Sequence, residues 1–194
     1  MKKIVNLLGL YQPEMVVRNI ASRDAFEGDV WSLNDFYWVY PWLKKVERNF
    51  ELHPFRHTRN EMKTNKSRYK GDWKRAFRER VDDLMVFDTR WGKEAKRKVS
   101  LFDYKKLKEK YPIDYASSID CMIAQAIDDG YEMINIFGVQ MINEHNIYGG
   151  GLLKAIDECR RHGIDIRFDY EYLLRQQRFE KQPSYIETLY KNAG

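Results

Sequence analysis

Met133-Ile134-Asn135-Ile136-Phe137-Gly138-Val139, then Gly151-Leu152-Leu153-Lys154-Ala155-Ile156-Asp157-Glu158-Cys159-Arg160-Arg161, then Gly163-Ile164-Asp165-Ile166-Arg167-Phe168: these three runs decide the fold. The first is short and apolar and closes on a glycine, as a buried strand does. The second sets Leu152, Leu153, Ala155, Ile156 and Cys159 at helical spacing. Gly163 is a natural helix stop, and the third run is a second strand. A strand, a helix and a strand over this length form a βαβ unit, whose strands pair in parallel.

The same grammar extends outward. Ser117 and Ser118 can cap a helix whose apolar face is Cys121-Met122-Ile123-Ala124-Gln125-Ala126-Ile127, with Gly130 as its stop. Residues 3–8 form an apolar run ended by Gly9, a first strand rather than a leader segment. Pro13 suits the first turn of a helix, continued by Met15, Val16, Val17, Ile20 and Ala21. Asp29-Val30-Trp31-Ser32-Leu33 is a second strand, with Asn34 and Asp35 just past its end. Residues 36–46 are aromatic-rich and partly helical, and Phe50-Glu51-Leu52-His53-Pro54 reads as a third strand stopped by proline. A helix is expected near 72–82, a strand at Leu84-Met85-Val86-Phe87, a helix at 102–110 and a terminal helix and tail over 170–194. The expectation is one α/β domain over 1–194. Its sheet is a Rossmann-like, open and mostly parallel one with helices on both faces, and a basic, mobile insertion occupies about 56–80.

Composition narrows the function classes. Hydrophobic residues at 43% and aromatics at 14% exclude a disordered chain. No window holds the roughly 18–20 apolar residues of a membrane span, so no membrane partner is expected and the compartment reads as cytoplasmic. Cys121 and Cys159 read as reduced, buried thiols. The histidines His53, His57, His145 and His162 form no HExxH or Cys/His cluster. No metal site or cofactor is therefore evident, and a divalent cation stays open. His162, at a helix end, reads as a cap on the last carbonyls. The net charge of +5 favours anionic partners. Much of that charge falls in 56–80, where Arg56, Arg59, Lys63 and Arg68 could contact phosphate or nucleic acid. Tyr69 and Trp73 interleave with them, as in single-strand binders.

In open parallel sheets, ligands lie beyond the carboxyl ends of the strands, where helix N-termini offer free N–H groups to anions. Gly9, Asn34, Ser117, Ser118, Gly138 and the run Gly149-Gly150-Gly151 all fall at such ends and are the candidate ligand-binding residues. Gly9 permits close backbone approach, and Asn34 can both donate to and accept from a base or ribose. The serines add hydroxyls, and the triple glycine is expected to open a helix with unobstructed N–H groups. Neither GxGxxG nor GxxxxGK[ST] is present, which argues against a standard dinucleotide or Walker-type site. Trp31, Tyr37, Trp38, Tyr40 and Trp42 surround Asn34 in sequence. They suit a core, a lid or dimer surface that leaves a homo-oligomer open, or a stacking platform for a base.

Asp29-Val30-Trp31-Ser32-Leu33-Asn34-Asp35-Phe36-Tyr37 resembles the strand-then-asparagine segment of bacterial sialyltransferases with a single Rossmann-like domain. Ala116-Ser117-Ser118 with its helix, and residues 130–141, resemble their Thr-Ser-Gly helix and following strand. A similar pattern belongs to archaeal-type hydroxymethylpterin diphosphokinases and to uncharacterised phage-encoded proteins. The phage-encoded proteins also share features with Glu144, Tyr148 and the helix running to His162-Gly163-Ile164. The likeness covers most of the chain outside 56–110 and implies that Asn34 lies in a cytidine nucleotide site. Two departures stand out. The sialyltransferase Gly-Asn-Gly-Pro-Ser is here Gly9-Leu10-Tyr11-Gln12-Pro13, and their usual aspartate is Gln140.

These readings point to a nucleotide- or nucleotide-sugar-binding protein and a glycosyl- or phospho-group transferase. A basic residue of 56–80 would stabilise the leaving phosphate, and Glu144 or His145 would be the general base and the catalytic pair. The two departures favour a non-catalytic binder that sequesters a nucleotide signal. The basic segment supports a third expectation, nucleic-acid binding.

Overall fold

The structure, a computed structural model, describes residues 2–10, 26–56, 58–59, 72–139, 146–168, 171, 175–176 and 185–193. Seven strands form one sheet: β1 (Ile4–Leu8), β2 (Asp29–Leu33), β3 (Val46–Glu51), β4 (Val81–Val86), β5 (Ser100–Leu101), β6 (Met133–Phe137) and β7 (Asp165–Phe168). Their order is β5-β4-β3-β2-β1-β6-β7, and every adjacent pair is parallel. The fold is thus the open, Rossmann-like α/β sheet expected from the βαβ unit.

Direction and handedness place the helices. From β1 to β5 the chain steps one way across the sheet, and from β6 to β7 it steps the other. Right-handed crossovers therefore put the two sets of helices on opposite faces. On one face α1 (Phe36–Val39), α2 (Trp73–Glu79) and α3 (Arg90–Ala95) pack with Leu8, Val30, Leu84 and Val86. On the other, α4 (Tyr104–Lys110), α5 (Ser118–Asp128), α6 (Asn146–Arg161) and α7 (Tyr185–Ala193) pack with Val5, Leu7, Trp31, Ile134 and Ile136. Both faces being covered explains why β1 reads as an uninterrupted buried run. Its one polar residue, Asn6, is satisfied in place. It donates to Glu27 O at 2.8 Å and Asp29 O at 3.0 Å, and accepts from Asn135 Nδ2 at 3.0 Å.

Several elements differ from the sequence reading. The third strand spans Val46–Glu51 and ends before Leu52. Arg48 sits within it because its Nε meets Asp83 at 2.7 Å, its Nη1 meets Asp129 at 2.6 Å, and it lies over the Trp31 ring. The next strand begins at Val81 rather than Leu84, and α3 and β5 were not expected at all. The helix near 72–82 is present as α2, whose Trp73, Ala76 and Phe77 enter the core. The helix expected at 13–21 lies outside the described residues. Both cysteines are free and buried. Among the described residues, no helix is long and apolar enough to cross a membrane.

Candidate functional site

The strand order reverses between β1 and β6, which makes the crevice beyond their carboxyl ends the topological switch point. Gly9 and Gly138 stand there and touch. Gly9 N–H donates to Phe137 O at 2.8 Å. A Cβ on Gly9 would overlap Gly138 O and lie 2.5 Å from Val139 Cγ2. Gly138 has φ +63°, which a residue with a side chain rarely adopts. Both glycines are thus required by the backbone as well as suited to a ligand's approach.

Asn34 follows β2 on the neighbouring strand. Its φ is +47°, a left-handed conformation that asparagine tolerates better than most residues. Asn34 N–H donates to Phe50 O at 2.9 Å and its carbonyl accepts from Asn49 Nδ2 at 3.4 Å. Ser32 Oγ in turn donates to Asn49 Oδ1 at 2.8 Å. The side chain is 6% exposed, and its Oδ1 finds no hydrogen-bond partner among the described residues. α1 then folds back so that Tyr40 reaches β1, its hydroxyl donating to Gly9 O at 2.5 Å. Gly9, Gly138 and Asn34 are therefore held at one end of the sheet by a continuous set of bonds.

The start of α5 is capped as expected, but two of the N–H groups there are already taken. Ser117 is its N-cap and Ser118 its first residue. The carboxylate of Asp120 takes the N–H groups of Ala116 at 2.7 Å and Ser117 at 3.0 Å, so neither is free for an anion. The triple glycine is a second correction. α6 begins at Asn146, so Gly150 and Gly151 lie inside the helix, with their N–H groups in its ladder. Gly151 instead lets α6 approach α5: a Cβ there would stand 2.7 Å from Ala116 Cβ.

The aromatic group divides. Trp31, Tyr37 and Tyr40 are core, Trp42 is half-buried with its ring 5.9 Å from Tyr40, and Trp38 is 54% exposed. Burial first, then the charges of Asp35, Glu51 and Asp72, pushes the Tyr37 phenol up. Among the described residues the His162 ring caps no carbonyl; its Nε2 lies 3.1 Å from Glu158 Oε1. Of the basic segment, Arg56 and Arg59 are exposed beyond β3, while Lys63 and Arg68 lie outside the described residues, as do Glu144 and His145. Lys74 and Arg75 pair with Glu94 and Glu79. Arg80 is half-buried and serves the fold, donating to Tyr40 O at 3.0 Å and Tyr37 O at 3.3 Å.

A buried polar pair at the end of β3 escaped the sequence reading. Glu51 Oε1 meets His53 Nδ1 at 2.8 Å and accepts His53 N–H at 3.1 Å, at the carboxyl end of β3. Trp91 Nε1 donates to His53 O at 2.8 Å. Beside it, burial would raise the Asp88 carboxyl, but Arg90 and the Phe55 N–H outweigh it and hold it below the usual range. The signal was the alternation Glu51-Leu52-His53 at a strand end, which sets both side chains on one face.

Compared with known proteins, the fold is similar to that of solved sialyltransferase structures. The bacterial sialyltransferase CstII from Campylobacter jejuni in complex with cytidine-5'-monophosphate superposes with a TM-score of 0.50 at 16% identity, over 86% of this chain and 78% of that one. Its complex with CMP-3FNeuAc gives 0.53 at 16%, over 95% and 87%. The complex of CST-II with a trisaccharide acceptor and CMP gives 0.51 at 16%, over 84% and 79%. No protein-family model matches the chain, and no curated protein matches it in sequence. The likeness is one of fold.

Proposed function

We propose that the chain binds a nucleotide or nucleotide-sugar across the carboxyl ends of β1, β2 and β6 and transfers a glycosyl group from it. Asn34 carries the reading: a buried amide oxygen, unpartnered among the described residues, beside the switch point. Leaving such a group unpaired costs about 1–3 kcal/mol, and a ligand N–H or O–H would relieve that cost. The solved structures of the same fold hold CMP, a CMP-sugar analogue and an acceptor, which supports this ligand class.

In this reading Gly9 and Gly138 admit the ligand and Asn34 accepts from base or ribose. The N–H groups of Ser118 and Ile119, in the first turn of α5, receive the phosphate. Arg56 or Arg59 offsets charge on the leaving nucleotide, with Lys63 and Arg68 as further contacts. Glu144 or His145 takes the acceptor's hydroxyl proton as its oxygen attacks the anomeric carbon and the bond to the phosphate breaks. The likeness to pterin diphosphokinases makes phosphoryl transfer the competing reaction.

A second reading, a binder that sequesters its nucleotide, is favoured by one observation: Asp120 already occupies two of the N–H groups at the start of α5. Thermal shifts with CMP, CMP-sugars, other nucleotides and pterins separate these readings, since binding to the native state alone raises Tm. A shift with one nucleotide class, lost in Asn34→Gly, supports the site. Release of free nucleotide on incubation marks the transferase, and unchanged ligand marks the binder. No shift with any of them overturns both and leaves the basic segment, whose binding to single-stranded nucleic acid would weaken steeply with salt.

A further inference from the structure

α2 and α3 bury one side each in the same core. Trp73, Ala76 and Phe77 of α2 and Trp91 and Ala95 of α3 are buried there, and the Trp73 and Trp91 rings stand 5.2 Å apart. The other sides of the two helices therefore face solvent together. The exposed cations on this face and on the turn after α3 are Lys74, Arg75, Arg78, Lys93, Lys96 and Lys98. The carboxylates of the two helices are Glu79 and Glu94, and both are already taken, by Arg75 at 2.8 Å and by Lys74 at 2.7 Å. Lys93, Lys96 and Lys98 enter no ion pair among the described residues.

This charge is fixed in place. The Arg97 guanidinium donates to Phe77 O, to Val81 O at 2.5 Å and to Asp82 O at 2.7 Å, so the 96–98 turn is fastened to the end of α2. Lys96, the C-cap of α3, has φ +54°. That left-handed conformation strains a residue with a side chain and is the usual place for glycine. Here the position carries a charge instead.

Such a face is complementary to a polyanion. Neither helix exposes an aromatic or large aliphatic side chain; the exposed large apolar residues, Trp38 and Leu101, lie on α1 and β5. A peripheral membrane site adds side chains of that kind for insertion. A single-strand site adds aromatic rings on which bases stack. Charge with neither suits the phosphates of a duplex, which are contacted from outside with the bases still paired.

We propose that the solvent face of α2 and α3, with the 96–98 turn, binds the sugar–phosphate backbone of double-stranded nucleic acid without reading its sequence. The face shares no residue with the site proposed for the nucleotide, so either assignment can fail alone.

The test is the binding of a fluorescein-labelled DNA duplex of roughly 20 base pairs to the full chain, followed by anisotropy at several salt concentrations. The dissociation constant of the wild type should rise at least about tenfold between about 50 and 200 mM salt. Lys93→Gln/Lys96→Gly/Lys98→Gln removes three charges and relieves the left-handed strain. Its Tm should therefore equal or exceed that of the wild type, while it binds the duplex at least about tenfold more weakly at low salt, with a log–log salt slope shallower by roughly 2–3. A variant that keeps the wild-type affinity and slope overturns the proposal, as does a wild type that does not bind the duplex at about 50 mM salt. Tighter binding of the single strand, or capture by phosphatidylserine vesicles without duplex binding, gives the face a different partner and also overturns it. Should the triple variant not fold, Lys98→Glu alone decides: weaker duplex binding supports the proposal, and unchanged binding overturns it.

Discussion

The Tyr40 hydroxyl donates to the carbonyl of Gly9 at 2.5 Å, tying the end of the helix after β2 to the end of β1. Both are buried, and burial pushes the phenol up, so it stays protonated and a donor at every physiological pH. The bond links the two strand ends that frame the proposed nucleotide site. Removing it leaves a buried carbonyl without its donor. Tyr40→Phe should lower stability by about 1–2 kcal/mol in urea unfolding, and should weaken nucleotide affinity by loosening Gly9 against Asn34.

Asn34 should separate function from stability. Its Oδ1 contributes no bond within the described fold, and its left-handed backbone suits glycine. Asn34→Gly should therefore stay within about 1 kcal/mol of the wild type in urea while losing nucleotide affinity tenfold or more. Asn34→Ala should be less stable than Asn34→Gly, because alanine is strained at that φ by about 1–2 kcal/mol. Equal stability of the two would contradict the strain, and retained affinity would contradict the ligand role.

The clear part of the sequence was the part that obeys a simple period. The strands β1 and β6, the helix α5 and the stops at Gly130 and Gly163 all follow from apolar runs and glycines, whose φ values are +75° and +71° at those two stops. The middle of the chain hides its strands because charge enters the sheet. Arg48 lies in β3 only because Asp83, Asp129 and the Trp31 ring accept it, and none of those partners is near it in sequence. β5 is two residues long, too short for any period to register. At the candidate site, the placing of Gly9 and Gly138 at strand ends was legible because glycine marks the close backbone approach and left-handed turn found there. The role of Asp120 was missed, although Ser117-Ser118-Ile119-Asp120 fits the S-x-x-[DE] pattern of a helix start that caps itself.

Acid should weaken the joint between α4 and α5. Asp128, at the end of α5, receives Lys106 and Lys110 of α4, each at 2.6 Å, and these hydrogen bonds hold its carboxyl down to about 2. A depressed carboxyl stabilises the fold above its ordinary pKa and loses that contribution as the pH falls toward the folded value. Wild-type Tm should therefore drop between about pH 4 and pH 2. Asp128→Asn should show a smaller drop over the same window and a Tm lower by roughly 2–4 °C at pH 7. Identical acid profiles would mean that the two lysines do not act on Asp128 in solution.

The cysteines should be silent until the chain unfolds. Burial pushes the Cys159 thiol to about 12 and Cys121 well above its usual value, so neither supplies thiolate at pH 8. An aromatic disulfide reagent should label neither in the native protein and both in denaturant. Rapid labelling of one under native conditions would show that its helix opens locally.

The central claim is that a nucleotide binds at the switch point between β1 and β6, and a crystal structure of the chain grown with CMP tests it most directly. The account predicts the nucleotide against Gly9 and Gly138, with Asn34 Oδ1 accepting a hydrogen bond from it at about 2.7–3.2 Å. A nucleotide bound elsewhere on the molecule, or an empty carboxyl edge at saturating CMP, would contradict it.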